Sequence, residues 1–365
     1  DLRVNLTDEG TVRIGVTASA PGRAEVSAFG GVHALDLPDG QGGLHLPAPD
    51  ALWAPEHPHL HDIAVRLDGD RVADRVGLRT LATDGTDILL NGKPIWLRGI
   101  CCHEDDAGTG RVTSEADLIR RFDHVQALGA NAVRLSHSPH HERAAQIADA
   151  RGLLLIEEIP VYWAIAYDTA ATLADATNQL REMIRRDANR ASVILWGVGN
   201  ENEDTDARLG FMTALAEAAL AEDPSRLITA ACLIDRTTFA VADRLAAALD
   251  VVGVNAYFGW YEHPMDGLAA LLANTALDRP LIVTETGADA VTGTVGTSGS
   301  LYSETYQAEV LATQIDIAGA APGVAGIFPW ILYDFRTERR QTRLNTGWNL
   351  KGLIDRDKTR KKAAF

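Results

Sequence analysis

Eight short apolar segments that alternate with amphipathic stretches constrain the fold of this sequence more than any other feature. From Ile88 onwards the strand-sized segments are Ile95–Ile100, Ala132–Ser136, Leu153–Glu158, Val193–Val198, Leu227–Ala231, Val251–Asn255, Leu281–Glu285 and Gly326–Trp330. Helical patterns lie between them, including Ser114–Ala127 with its Ser-x-x-Asp cap, Arg208–Ala221, Tyr302–Ala318 and a weaker one at Val241–Leu249. Strands that alternate with helices predict a parallel sheet. Eight such units predict an α/β fold, a (β/α)8 TIM barrel with its active site at the carboxyl ends of the strands.

The first 82 residues show a period-two pattern instead. Thr11–Ser19 and His61–Leu67 largely alternate apolar with polar residues, which is typical of half-buried strands. Turns separate the strands at Pro21-Gly22, Gly30-Gly31 and Pro38-Asp39-Gly40. Short strands at this spacing predict an immunoglobulin-like β-sandwich at residues 1–82, with the barrel at residues 83–365. A chain of 365 residues fits a barrel of about 250 residues and one further module of about 100.

The charge of the chain excludes two classes of partner. The formal net charge is −16, whereas nucleic acids and anionic membranes are bound by basic surfaces. A membrane-spanning helix needs about 18 consecutive apolar residues, and the sequence contains no such run. We therefore expect neither nucleic acid nor a membrane as a partner.

The cysteines and histidines do not follow the spacing of a metal site. The three cysteines are Cys101, Cys102 and Cys232, an odd number without a C-x-x-C pair, and no H-E-x-x-H motif occurs. This usage predicts reduced, buried thiols in a cytoplasmic protein, and no metal. The chain does not begin with Met, so a removed or missing upstream segment is an alternative that leaves export open.

Two predicted strands deliver a carboxylate to the active-site end of the barrel. Val193–Val198 leads into Asn200-Glu201, and Leu281–Glu285 ends in Glu285. One glutamate in such a place can simply cap a strand or form a salt bridge. Two of them on strands that face each other across a barrel favour glycoside hydrolysis, in which one carboxyl group protonates the departing oxygen and another attacks the anomeric carbon or activates water.

Longer motifs around these glutamates resemble those of glycoside hydrolase family 2. Within that family the resemblance is greatest to the β-glucuronidases. Besides Asn200-Glu201 and Glu285, the motifs are L-N-G-K-P-I-W-L-R-G at Leu90–Gly99, His103-Glu104-Asp105, and G-A-N-A-V-R-L-S-H at Gly129–His137. The resemblance runs over nearly the whole chain. It implies a retaining, exo-acting hydrolase with Glu201 as acid/base, Glu285 as nucleophile and a covalent glycosyl-enzyme intermediate, and it implies no cofactor.

Other polar and aromatic residues near the predicted strand ends are candidates for substrate contacts. We expect Asn200 to donate to the sugar 2-hydroxyl, Tyr257 to orient the nucleophile and Trp330 to stack under a sugar ring. Each has a structural alternative, as a turn, rim or core residue. Tyr261 is a further candidate for orienting the nucleophile, with rim packing as its alternative. His103, Arg134 and His137 are candidates for facing the sugar or for supporting the residues that do, and a structural hydrogen bond is the alternative for each.

One segment near the carboxyl terminus bears on the choice of sugar. Asn349-Leu350-Lys351 resembles the Asn-x-Lys element with which β-glucuronidases bind the uronate carboxylate. An ammonium and an amide donor would fix an anion inside an otherwise acidic protein. The alternatives within the family are a β-galacturonidase and a neutral β-galactosidase.

A third hypothesis belongs to another class of protein. The 365 residues contain no stretch similar to the jelly-roll domain that usually precedes the sandwich in this family. A truncated, non-catalytic carbohydrate-binding fragment is therefore also considered. The expected partner is a small glycoside, and a homo-oligomer is a hypothesis suggested by the family alone.

Overall fold

Apolar residues at every second position build an N-terminal β-sandwich. The computed structural model describes residues 1–7, 9–276 and 278–365. In this part of the described chain the strands are β1 (Leu2–Leu6), β2 (Thr11–Thr17), β3 (Gly22–Ala28), β4 (Gly31–Leu37), β5 (Gln41–Pro47), β6 (His61–Leu67) and β7 (Asp70–Val76). They form two antiparallel sheets, β1-β2-β5 and β4-β3-β6-β7. Side chains such as Ile14, Val26 and Ile63 come from both sheets and share one core, as in a β-sandwich.

A small antiparallel sheet joins the sandwich to the barrel. Its strands are β8 (Leu81–Asp84), β9 (Asp87–Leu90) and β10 (Lys93–Ile95). Nearby, the buried Trp53 donates from Nε1 to the carbonyl oxygen of Asp149 (2.8 Å), and Arg79 Nη2 donates to that of Val193 (2.8 Å). These bonds fix the sandwich against the barrel. The boundary between residues 82 and 83 falls inside β8 and stays a prediction.

The eight predicted parallel strands close into a barrel in sequence order. They are β11 (Leu97–Cys102), β12 (Ala132–Leu135), β13 (Leu154–Glu158), β14 (Val193–Asn200), β15 (Leu227–Cys232), β16 (Val251–Asn255), β17 (Leu281–Thr286) and β18 (Val324–Pro329). Strand β11 pairs with both β12 and β18, which closes the barrel. Each strand end lies within two residues of its predicted position. The predicted fold, a sandwich followed by a TIM barrel, is confirmed.

Helices cover the outside of the barrel. They are α1 (Glu115–Ala127), α2 (Arg143–Arg151), α3 (Ala170–Asp187), α4 (Asp206–Glu222), α5 (Gly267–Asn274) and α6 (Glu304–Ala320). Ser114 caps α1 in a capping box with Asp117, as the Ser-x-x-Asp pattern predicts. After β15, where the helical pattern is weakest, only a 3-10 helix forms, Arg244–Ala248. In the described parts of the chain, no helix is both long and apolar enough to span a membrane.

Two very short strands lie above the barrel. They are β19 (Phe335–Arg336) and β20 (Trp348–Asn349), and they pair antiparallel. Because β19 and β20 pair, the two ends of the loop between them lie side by side, close to the carboxyl end of β18. This hairpin places residues 336–340 and Asn349 on one side of the barrel mouth.

Candidate active site

The strands that carry the two predicted catalytic glutamates are irregular at their carboxyl ends. The pairing of β14 with β15 shifts between Gly197 and Asn200, and that of β17 with β18 shifts between Val283 and Thr286. Such irregularities re-aim side chains at strand ends. Glu201 follows directly with a φ of 52°, a left-handed conformation that is uncommon for residues other than glycine. Glu201 and Glu285 thus enter the same cleft, which has a volume of about 900 Å³.

The cleft gathers most of the residues that the sequence singled out. Nine line it: His103, His137, Asn200, Glu201, Tyr257, Tyr261, Glu285, Trp330 and Asn349. The other two, Arg134 and Lys351, lie behind the lining, and each is 1% exposed. The structure thereby brings all eleven to one end of the barrel.

Glu285 is a buried carboxylate with donors on both oxygens. Tyr257 donates its hydroxyl hydrogen to Oε2 (2.5 Å), and Arg134 Nη1 donates to Oε1 (2.7 Å). Burial raises the pKa of Glu285, while the charge of Arg134 acts in the opposite direction. Burial and the neighbouring carboxylate raise the pKa of the Tyr257 phenol well above its usual value, so this group stays a hydrogen-bond donor. The geometry holds Glu285 in one orientation.

Arg134 connects three side chains beneath the cleft. Its Nε and Nη2 form a fork with Glu158 (3.0 and 3.1 Å), and Nη2 also donates to Asn200 Oδ1 (2.7 Å). His137 Nδ1 donates to Glu158 Oε1 (2.5 Å). Burial opposes ionisation of Glu158, but the charges of Arg134 and His137 outweigh burial and lower its pKa. Glu158 is therefore an ionised anchor for Arg134.

A glycine makes room for this anchor. A Cβ atom on Gly197 would lie 2.6 Å from the Cβ of Glu158, closer than any real contact. Gly197 is in β14 and Glu158 in the neighbouring strand β13, and the two residues are paired. Position 197 therefore requires glycine because a larger residue would displace Glu158, and not because the backbone turns there.

Glu201 is held by two donors, one from a loop and one from the end of β16. Trp163 Nε1 donates to Oε2 (2.8 Å), and Asn255 Nδ2 donates to Oε1 (2.9 Å). Asn255 Nδ2 also approaches Asn200 Oδ1 (3.2 Å). Because Asn200 bonds Arg134, which bonds Glu285, a continuous set of hydrogen bonds links the two catalytic candidates.

Aromatic rings form the floor of the cleft. His137 stacks on Trp330 with 5.1 Å between ring centroids and 15° between planes, and His103 meets Trp330 edge-on at 5.1 Å. Burial, followed by the nearby His137, lowers the pKa of His103 well below its usual value, so His103 is neutral near pH 7. Trp330 also lines the cleft, and its role as a stacking surface for a sugar ring stays a prediction.

A second charged cluster lies next to the hairpin of β19 and β20. Asp289 accepts from Lys351 Nζ (2.9 Å) and from Arg340 Nη1 (3.1 Å), and Tyr261 Oη accepts from Lys351 Nζ (2.8 Å) and from Arg340. Asn349 Oδ1 accepts from the backbone N–H of Lys351 (3.0 Å). Two cations and one carboxylate leave this cluster with one net positive charge.

Several residues of the site did not appear among the sequence candidates. Glu158, Asn255 and Asp289 are polar residues at or just after barrel strands, so the rule that pointed to Glu201 could have found them. Trp163, Arg339 and Arg340 come from long loops, and nothing in their local sequence marks them. In the described ranges 1–7, 9–276 and 278–365, no group of three or more His, Cys, Asp or Glu side chains could hold a metal ion.

A closed (β/α)8 barrel with glutamates after its fourth strand and at the end of its seventh defines a class of glycoside hydrolases. Residues 81–365 match the family described as "Glycosyl hydrolases family 2, TIM barrel domain". The chain therefore belongs to glycoside hydrolase family 2, and the resemblance seen in the sequence is confirmed.

Named relatives within the family are β-glucuronidases. The enzyme of Paenibacillus borealis is 30% identical over 341 residues, which are 86% of this chain and 56% of that protein. The enzyme of Rattus norvegicus is 32% identical over 339 residues, 86% of this chain and 51% of that protein. The chain thus spans about half the length of the curated relatives it matches.

Solved structures of the family superpose on the entire chain. A β-galacturonidase from Eisenbergiella tayi bound to galacturonate has a TM-score of 0.88 and 27% identity, and covers 100% of this chain and 69% of its own. The Ruminococcus gnavus β-glucuronidase in complex with D-glucuronic acid has a TM-score of 0.83 and 27% identity, with coverage of 100% and 65%.

Proposed function

We propose that this chain is a retaining, exo-acting β-glucuronidase in which Glu285 is the nucleophile and Glu201 the acid/base. The observation that carries the proposal is the pair of glutamates in one cleft. Each is held by donors from two other side chains. For a retaining mechanism, we expect the two carboxyl groups about 5–5.5 Å apart.

In the first step, Glu285 attacks the anomeric carbon and the bond from this carbon to the leaving oxygen breaks. Glu201 donates its proton to that oxygen. A covalent glycosyl ester forms on Glu285, whose negative charge disappears. Tyr257 and Arg134 keep the attacking carboxylate aligned, so little reorganisation is needed at the transition state.

In the second step, water enters on the side that the leaving group has vacated. Glu201, now ionised, removes a proton from this water while the oxygen attacks the anomeric carbon. The ester bond breaks, Glu285 leaves as a carboxylate, and Arg134 and Tyr257 receive the returning charge. Two inversions at the same carbon give net retention.

The charged cluster beside the hairpin supports a uronic acid as the sugar. Asn349 lines the cleft, and since its Oδ1 already accepts from Lys351, its Nδ2 is the atom available to a substrate carboxylate. Arg340 also lines the cleft, whereas Lys351 lies behind it and pairs with Asp289. A carboxylate bound at Asn349 would meet the net positive charge of this cluster.

A β-galacturonidase is the second candidate. Its support is the galacturonate-bound structure from Eisenbergiella tayi, whose TM-score of 0.88 is higher than the 0.83 of the glucuronate complex described above. The two sugars carry the same carboxylate and differ in the configuration of one ring hydroxyl. The charged cluster serves either sugar, so kinetics must distinguish them.

We expect turnover of p-nitrophenyl β-D-glucuronide that exceeds turnover of the β-D-galacturonide and of the neutral β-D-galactoside. Asn349→Asp should reduce kcat/KM for the glucuronide about 100-fold, because it replaces a donor by a charge that repels the substrate carboxylate. The matched variant Asn349→Ala should lose about 10-fold, since it removes the donor alone.

The same assay decides between the candidates. Faster release from the galacturonide makes the second candidate correct. Turnover of the galactoside alone, or wild-type rates in Asn349→Asp, would contradict the assignment of a uronate site. An absence of turnover on all three substrates would favour the carbohydrate-binding fragment.

Tyr257→Phe tests the hydrogen bond to the nucleophile through its pH profile. The Tyr257 hydroxyl stabilises the ionised form of Glu285, so its removal raises the pKa of Glu285 further. Because attack requires ionised Glu285, the acidic limb of kcat/KM should move to higher pH, with a loss of about 10- to 100-fold at neutral pH. Tyr261→Phe is the matched control, since its hydroxyl contacts Lys351 and Arg340 instead. Equal acidic limbs in wild type and Tyr257→Phe would contradict this role.

A further inference from the structure

Trp163 has a backbone conformation that is rare for a large side chain. Its φ is 57°, in the left-handed region. Three hydrogen bonds fix it there: its N–H donates to the carbonyl oxygen of Asn200 (3.0 Å), and its own carbonyl oxygen accepts from Asn202 Nδ2 (3.1 Å) and Tyr167 Oη (2.6 Å). Strained residues that are held by such networks concentrate at functional sites.

The fixed indole has a contact on its edge and another on its face. The edge donates from Nε1 to Glu201, the proposed acid/base (2.8 Å). Over the face lies the guanidinium of Arg339, 4.4 Å from the ring centroid, a cation–π distance. Trp163 therefore holds an arginine at a set position next to the acid/base.

The charge of Arg339 is available to a ligand. Its neighbour Arg340 pairs with Asp289, but Arg339 is exposed, lines the cleft and forms no ion pair with any residue in the described part of the chain. Arg111 and Arg336, which also line the cleft, likewise form no ion pair there. The carboxylates at the same rim are Glu104, Asp105 and Glu338. Among the described residues, these three arginines and three carboxylates share one opening without forming ion pairs with each other, so the guanidinium of Arg339 keeps its charge for a ligand.

The position of Arg339 indicates which part of a substrate it would contact. An acid/base protonates the oxygen of the leaving group, so the leaving group lies on the side of Glu201. The charged cluster beside the hairpin lies instead on the side of the nucleophile, because its Tyr261 ring is 5.1 Å from that of Tyr257, which bonds Glu285. Arg339 thus faces the leaving group rather than the sugar that is cleaved off.

We propose that Trp163 and Arg339 form a leaving-group subsite that selects a leaving group bearing a carboxylate or sulfate close to the scissile bond, such as an acidic sugar. The guanidinium fork suits both anions, and the indole keeps the fork in place. This inference rests on the proposed hydrolase function. Arg339 is then a specificity-determining residue, and Trp163 positions it.

The test compares three nitrophenyl β-D-glucuronides that differ in one substituent on the nitrophenyl ring. The substituent is a carboxylate, a sulfonate or, as the neutral counterpart, a carboxamide. Wild type should prefer the carboxylate over the carboxamide by about 5- to 10-fold in kcat/KM, and this preference should shrink as salt is added. Arg339→Gln should abolish the preference. Arg343→Gln, an exposed arginine of the same loop that does not line the cleft, should retain it.

The sulfonate substrate separates the two anions: a preference for it alone assigns sulfated leaving groups, and a preference for the carboxylate alone assigns acidic sugars. Hydrolysis of the carboxamide without any preference for an anion contradicts the subsite and leaves the hydrolase intact. An equal preference in wild type and Arg339→Gln also contradicts it. Hydrolysis of none of the three substrates contradicts the proposed function and this inference with it.

Discussion

Glu285→Gln is expected to lower kcat/KM for p-nitrophenyl β-D-glucuronide roughly 10⁴- to 10⁶-fold, the range seen when a nucleophile is removed. Gln has the shape of Glu, but its amide oxygen cannot form the glycosyl ester. The fold should persist, because Arg134 keeps its fork with Glu158 and burial already disfavours the charge of Glu285. Thermal unfolding monitored by circular dichroism checks this point.

A smaller variant tests the role of Glu285 more sharply. In Glu285→Ala the space of the carboxylate is open, and azide can attack the anomeric carbon from the same side. One inversion would give the α-glycosyl azide, with Glu201 still donating a proton to the leaving group. Retention of more than about one tenth of wild-type activity in Glu285→Gln would contradict the assignment, because a nucleophile cannot be dispensable.

Glu201→Ala is expected to have an effect that depends on the leaving group. A nitrophenolate departs without a proton, so glycosyl-enzyme formation survives while its hydrolysis becomes slow. A sugar or alkyl leaving group needs the proton, and kcat/KM should fall about 10²- to 10⁴-fold. Azide should restore turnover of the nitrophenyl substrate and yield the β-glycosyl azide, since it replaces water after Glu285 has reacted.

The control for this variant lies two residues away. Glu203 is exposed and does not line the cleft, so Glu203→Gln should behave as wild type with both kinds of leaving group. Equal losses for nitrophenyl and alkyl substrates in Glu201→Ala, together with no effect of azide, would show that Glu201 is not the acid/base.

The barrel and its two glutamates could be predicted because they depend on short-range patterns. Apolar runs such as Val251–Asn255 are buried on both faces of a parallel sheet, and their period and length are visible in the sequence. A residue at the carboxyl end of such a run lies at the mouth of the barrel. This rule predicts Glu201 and Glu285 at the mouth, and both line the cleft there.

The partners of each residue could not be predicted, because they lie on other strands and loops that are far away in the sequence. Arg134 is predicted either to face the sugar or to support the residues that do; it lies beneath the cleft and bonds Glu158 and Glu285. The contact of Lys351 with a substrate carboxylate stays a prediction; in the structure its ammonium pairs with Asp289, 62 residues earlier in the chain. The pairings of Arg134 join side chains of three strands, and the pairing of Lys351 joins two loops. Sequence periodicity encodes neither kind of long-range pairing.

Trp163 illustrates the same limit. Its left-handed conformation depends on hydrogen bonds from Asn202 and Tyr167, which no local pattern announces. Arg339, which contacts the indole, lies in a hairpin 176 residues further along the chain. The side of the cleft that meets the leaving group therefore became visible only with the structure.

The most direct test of the central claim is to trap the covalent intermediate. A 2-deoxy-2-fluoro-β-D-glucuronyl fluoride should react with the enzyme and accumulate as an ester, because the fluorine slows its hydrolysis; mass spectrometry of the digested protein then identifies the labelled residue. The account predicts a single glycosyl ester on Glu285. A label on Glu201, Glu158 or any other residue, or an enzyme that turns over glucuronides but is never labelled, would contradict it.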